Sequence, residues 1–196
     1  MLALGFVTQK ALAEWQNTPL YMPHFQFYER HSTTIRTTHP EKILPAIADY
    51  DIQQDFLIKT LMSVRQLPQK LLRHKSEKTI NQFGLHSFTL LESSPTELCY
   101  GLRGQFWRPD FGLEDVPDAN AYCAVLQPGN AKLLLRYQVQ QLANNKYVLC
   151  TETFIYCPDR ATRLKMTGYW LAIRLGSGLI RQRTLKAVKH ELEKVS

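Results

Sequence analysis

The sequence predicts an α+β domain, an antiparallel sheet with its helices gathered on one face. Three observations carry that reading. Aromatic and β-branched residues recur in short runs separated by hairpin-type turns, two short helical patterns follow the first run, and everything after Asp159 has helical spacing. The 196 residues are enough to bury one core, and 44% apolar with 21% charged residues is a globular composition.

Residues 1–22 read as an N-terminal extension to a domain spanning 23–196. Within the extension, Thr8 is placed to cap a short helix carrying Leu12 and Trp15, and Pro19 and Pro23 punctuate its end. "HFQFYERHSTTIR" then reads as a first strand. "HPEKILPAIADYD" starts on Pro40, a residue suited to a helix start, and spaces Ile43, Ala46 and Ile47 helically. "DFLIKTLMSVRQL" repeats apolar residues at Phe56, Leu57, Leu61 and Val64 and stops near Pro68. Beyond a basic connector at 69–78, strands are expected at about 83–91, 98–107, 121–126, 131–140 and 147–157. "SSPT", "PGN" and "NN" are the hairpin turns between them, and 108–120 is a long loop.

Strand alternation then predicts an inner face. A turn centred on Asn144-Asn145 opposes Val139 to Cys150, Tyr137 to Glu152, Leu135 to Phe154 and Leu133 to Tyr156. One centred on Pro128-Gly129 opposes Leu135 to Tyr122 and Leu133 to Ala124. Glu152 thereby falls on the apolar side, where an ionised carboxylate requires a partner or a proton. Arg103 is a candidate partner, although Leu98, Tyr100, Leu102 and Phe106 make the more apolar face of its strand and leave its own side open. Glu152 is either a polar anchor for a ligand, or a general acid/base with a raised pKa, or one half of a structural ion pair. A one-residue bulge would turn it to the other face.

On the terminal helix, Ala161, Leu164, Gly168, Leu171, Ala172 and Leu175 form one stripe, with Met166, Tyr169, Trp170 and Ile173 beside it. Past Gly176-Ser177-Gly178, Ile180, Thr184, Ala187, Val188 and Val195 continue an apolar face. Each interior glycine costs up to about 1 kcal/mol relative to alanine, so the pair implies either a bend or a close approach.

The formal charge is +7, and residues 158–196 hold nine Lys/Arg against three acidic residues, a local net of +6. A solvated helix face accounts for that charge, and contact with an anionic membrane surface is the lesser reading. No nucleic-acid motif is present, and "GSG" fits neither a nucleophile elbow nor a phosphate loop. The four cysteines lack zinc-site spacing and read as reduced, mostly buried thiols; the six histidines lack ligand spacing, so no metal or cofactor is expected. No apolar stretch reaches the ~18 residues of a membrane span and no secretory leader is recognisable, which suggests a cytoplasmic protein.

"GLRGQFWRP", "CTETFIY" and "YWLAIRLGSGLIR", with the order of elements across residues 24–193, resemble a bacterial subfamily of the START/Bet v 1-like (SRPBCC) superfamily. The resemblance implies a helix-grip fold, a curved sheet wrapped around the long C-terminal helix, and a cavity for a small hydrophobic or amphipathic ligand of lipid, sterol or polyketide type. A minority of such proteins are polyketide cyclases or dehydratases, in which Glu152 would be the acid/base here. The expected lining is Tyr100, Arg103, Tyr122, Leu135, Tyr137, Glu152, Phe154, Tyr169, Trp170 and Gly176.

Overall fold

A computed structural model of the chain describes residues 3–50, 87–108 and 112–194. The expected second helix at 55–67 and the basic connector lie outside the described residues. After a 3-10 turn at Ala3–Gly5 come α1 (Gln9–Ala13), β1 (Phe27–Arg36), a second 3-10 turn at Pro40–Lys42 and α2 (Ile43–Asp49). They are followed by β2 (Thr89–Ser93), β3 (Glu97–Gly104), α3 (Ala119–Cys123), β4 (Ala131–Ala143), β5 (Lys146–Tyr156) and α4 (Arg160–Lys194). The five strands form one antiparallel open sheet in the order β1-β5-β4-β3-β2. The class is therefore α+β with a long C-terminal helix.

Local chemistry sets the element boundaries. Thr8 caps α1 through its hydroxyl, which accepts from the Ala11 amide at 3.2 Å. Pro40 opens the second 3-10 turn, and Pro45 sits in the first turn of α2, where its missing N–H has no helical partner to lose. Asp159 starts α4. Its carboxylate accepts from the Thr162 amide at 2.8 Å, the Thr162 hydroxyl at 2.6 Å and the Gly129 amide at 3.1 Å. These bonds hold its pKa down at about 2.

Two expectations about the strands are corrected. Residues 121–126 are not a strand: Asp118 caps α3 by accepting from the Ala121 amide at 2.8 Å. Tyr122 and Leu126 lie four apart, a spacing that fits a helical turn as well as it fits alternation. The second correction concerns register. The β4–β5 turn is at Asn144-Asn145, where Ala143 faces Lys146, but the register slips between Gln141 and Ala143, so that Gln141 faces Tyr147. Leu142 is the extra residue, and it is exposed. From there Leu135 faces Thr153, Arg136 faces Glu152 and Leu134 faces Phe154. A slip of one residue exchanges the two faces of a strand. Glu152 and Phe154 therefore lie on the side away from α4, with Cys150 and Tyr156.

Each side of the sheet has its own apolar packing. On the α4 side, Ile35, Leu98, Tyr100, Leu135, Tyr137 and Leu149 pack with α2 and the second half of α4. At the other end Phe27, Leu102, Ile155, Met166 and Trp170 form a separate cluster. On the opposite side Met22, Phe25, Leu91, Cys99, Tyr122, Leu134 and Phe154 are packed beneath Leu12, Trp15 and Tyr21. The extension touches both sides: Val7, Leu12 and Trp15 pack on the face away from α4, while Trp170 Nε1 of α4 donates to the Leu4 carbonyl at 3.0 Å, and the Val7 amide donates to the Gln26 carbonyl at 2.8 Å. Cys99, Cys150 and Cys157 are buried thiols and Cys123 is exposed; burial pushes Cys157 up to about 12.

α4 runs unbroken through Gly176, Ser177 and Gly178. Among its described residues, Thr162, Met166, Trp170, Gly178, Thr184, Leu185, Val188 and Leu192 are buried, whereas Ala161, Leu164, Gly168, Leu171 and Ala172 face solvent. Of the two adjacent apolar stripes, the one with Met166 and Trp170 packs inward and the one with Leu164 and Leu171 faces outward.

Candidate functional site

The expected lining residues divide between the two faces of the sheet. Tyr100, Leu135 and Tyr137 lie on the α4 side, where the Tyr100 and Tyr137 rings meet edge to face at 6.5 Å. Trp170 is buried against Phe27, 5.7 Å between centroids, with half-buried Tyr169 beside the same cluster. Gly176 is half-buried within α4. Arg103, Tyr122, Glu152 and Phe154 are on the other face, away from α4.

On that far face the polar groups are paired with one another. Glu152 accepts from the Tyr28 hydroxyl at 2.6 Å, and Arg136 donates to its other oxygen from Nε at 2.9 Å and lies within 2.7 Å through Nη2. The guanidinium also covers the Phe154 ring at 5.1 Å and donates to the Asn17 carbonyl. Burial and the bond to Glu152 push the Tyr28 hydroxyl far above its usual pKa. Arg103 is not the partner of Glu152. It donates to the carbonyls of Ala121, Ala124 and Val125 and pairs with Glu114 at 2.6 Å, fastening the α3 segment to β3. Tyr122 packs flat over Gly101 and donates to the Leu133 carbonyl at 3.2 Å. These are structural connections.

The polar groups with unspent capacity are under α4. β1 and β5 pair so that Glu29 faces Thr153 and His31 faces Thr151, which sets four polar side chains in a two-by-two patch between the two apolar clusters. The same rows continue across the sheet, Thr153 to Leu135 to Tyr100 and Thr151 to Tyr137 to Leu98. Gly178 lies directly over the patch: a Cβ there would sit 3.3 Å from Glu29 Oε1 and 3.3 Å from His31 Cε1. The glycine is explained by a close approach rather than a bend.

Within the patch, His31 Nε2 is 3.3 Å from Glu29 Oε1, and Arg174 Nε is 3.8 Å from the same oxygen. Arg181 donates to the Thr151 hydroxyl at 3.1 Å and to Ser177 at 3.4 Å, and Tyr137 is hydrogen-bonded to Thr151. Burial lowers the Arg181 pKa and raises that of Tyr137. Glu29 Oε2, His31 Nε2 and Thr153 Oγ1 are buried without a hydrogen-bond partner among the described residues, and the Glu29 side chain is only 7% exposed. Sequence reasoning missed this patch. Its signal is the i, i+2 spacing of Glu29 and His31, which places both on one face of a strand whose neighbours on that face, Phe27 and Ile35, are apolar.

Among the described residues, one trio brings metal-ligand atoms within 4.8 Å of one another, Glu92, Glu97 and Cys99. Cys99 donates to Glu97 at 3.1 Å and Gln138 donates to its other oxygen at 2.6 Å, while burial pushes the Cys99 thiol far up. Glu97 and Cys99 are thus engaged in side-chain hydrogen bonds on β3 and β4.

Compared with family models, curated proteins and solved structures, the chain matches none of them. Among the described residues, no helix is long and apolar enough to cross a membrane.

Proposed function

We propose that the protein binds a small amphipathic ligand between the sheet and α4. Its polar end meets Glu29, His31 and Thr153, and its apolar part lies over Leu135, Tyr137 and Tyr100. One observation carries this reading: among the described residues, Glu29 Oε2 and Thr153 Oγ1 are buried without a hydrogen-bond partner beside a mostly apolar layer, and His31 Nε2 approaches Glu29 Oε1 at 3.3 Å without forming a hydrogen bond. Each unsatisfied buried group costs about 1–3 kcal/mol, so a ligand offering a donor to Glu29 Oε2 and a complementary group to His31 and Thr153 recovers several such penalties at once. The order of elements and the resemblance to the SRPBCC superfamily support a helix-grip arrangement with the same cavity side. A cyclase or dehydratase is the second reading. The proximity of His31 and Glu29 favours it, since an imidazole 3.3 Å from a carboxylate is a candidate acid/base pair. Glu152 is the weaker acid/base because Arg136 and Tyr28 already occupy its oxygens.

Native mass spectrometry of freshly purified protein, with displacement of an anilinonaphthalene sulfonate dye, tests the binding reading. A bound species is expected, and Glu29→Gln should weaken dye or ligand affinity by about tenfold or more, from the ~1.5–3 kcal/mol of a hydrogen bond to a charged group. Glu152→Gln should leave affinity unchanged. Absence of both a bound species and dye uptake overturns the reading.

A further inference from the structure

We infer that the outward face of α4 docks on an anionic membrane surface, independently of what lies beneath the helix. The structure turns outward Leu164, 76% exposed, and Leu171, 46%, of one stripe, and Leu179, 42%, further along the helix. Exposed Gly168 and Ala172 lie between them, and exposed Ala161 precedes Leu164. Residues seven and eight apart lie about 20° and 80° from one another around a helix, so the three leucines share one broad outward face. Leu4, 58% exposed, is tied to the same helix through its carbonyl, which accepts from Trp170 Nε1.

Charge decides the occupant. Residues 160–190 contain eight Lys/Arg and no Asp or Glu. Arg160, Arg163 and Lys165 are exposed around Leu164, and Arg183 and Lys186 are exposed beyond Leu179. A second copy of this face would set like charge against like charge. Nucleic acid would find the cations but gain nothing from a row of leucines, which carry neither hydrogen-bonding groups nor aromatic surface. A phosphatidylserine-bearing bilayer satisfies both features: the leucines enter the acyl boundary while the long basic side chains reach up to the headgroups. No described helix is long and apolar enough to cross a membrane, so the contact lies in the plane of the interface.

The test is sedimentation of the full-length protein with vesicles of phosphatidylcholine, either alone or with about 30% phosphatidylserine, over a salt series. Binding to the serine-containing vesicles should exceed binding to phosphatidylcholine alone by about tenfold and weaken as salt rises and the Debye length contracts. Leu164→Asp/Leu171→Asp should reduce it by a further tenfold or more, with the thermal midpoint and circular dichroism unchanged because both positions are exposed. Failure to sediment with serine-containing vesicles at low salt overturns the inference. So does binding that the folded double variant retains, or a dimer in solution that the same variant dissociates.

Discussion

Arg136→Met removes the partner of a buried carboxylate while keeping most of the side chain's volume, so it separates the observed β4–β5 register from the alternative without the bulge. In the structure Arg136 is 3% exposed and Glu152 is 6% exposed, and Arg136 supplies two of the three close polar contacts to the carboxylate. The variant leaves that carboxylate with the Tyr28 hydroxyl alone. Breaking a buried pair from one side costs about 3–5 kcal/mol. At roughly 2–4 °C per kcal/mol for a chain of this size, the thermal midpoint should fall by about 6–20 °C.

Urea unfolding of the wild type, Arg136→Met, Glu152→Leu and the double variant measures this as a cycle. The double variant should be clearly more stable than the sum of the single losses predicts, with a coupling of about 2 kcal/mol or more, because no charge is then left unpaired. Had the hairpin continued from Asn144-Asn145 without a bulge, Glu152 would face Tyr137, and Arg136 would point the opposite way from it. In that register, losing Arg136 would cost within about 0.5 kcal/mol, as for an ordinary surface position. A loss under about 1 kcal/mol, or an additive cycle, would therefore refute the bulge and every side-chain placement that depends on it.

Two further outcomes rest on local geometry. Asp159 has a folded pKa of about 2 because Thr162 and Gly129 hydrogen-bond its ionised form, and the unfolded value lies near 4. Its stabilisation is thus complete above about pH 4 and lost as pH falls toward 2. Asp159→Asn should lower the melting temperature at neutral pH, and the gap from wild type should close across that window; a gap independent of pH would contradict the assignment. Gly101→Ala would put a methyl 2.5 Å from Tyr122 Cδ2 and 2.8 Å from Leu91 Cδ1. With Tyr122 fully buried, urea titration should show a loss of at least about 1–3 kcal/mol, and a neutral result would mean that Tyr122 does not lie on β3.

The class of fold was legible because periodicity survives local error. The β1 segment, the α2 segment behind Pro40, the capped α1 and the unbroken α4 are all where their spacing and caps put them. The site was not legible, and a single residue is responsible. Leu142 bulges out of β4, and every residue of β5 beyond it exchanges faces, which carries Glu152 away from α4 and brings Thr151 and Thr153 under it. Nothing in "VQQLANNKYV" marks that bulge, since Leu142 and Ala143 fit an exposed strand end as readily as a slip. The Arg103 side chain was ambiguous for a different reason. Its partners are three backbone carbonyls and Glu114, none of which hydrophobic patterning can display. On α4 the two apolar stripes compete, and packing selects Met166 and Trp170 for the sheet while Leu164 and Leu171 remain outside.

The patch under Gly178 is difficult to explain by stability alone. Valine or isoleucine at 29, 31 and 153 would join the clusters of Phe27 and Ile155 on one side and Leu135 and Leu149 on the other into one continuous core. Each such replacement would remove an unsatisfied group worth about 1–3 kcal/mol, and alanine at 178 would add the ~1 kcal/mol that a helix gains over glycine. Instead the chain keeps a carboxylate, an imidazole and a hydroxyl in one patch beneath the helix, with Gly178 above them. Ordered water can satisfy such a patch as well as a ligand can, and the tyrosines and leucines that extend the same rows toward β3 pack with α2 and α4. The mass spectrum and the dye assay separate the proposed amphipathic ligand from that alternative, since a dry mass spectrum beside an unperturbed dye would leave only the water.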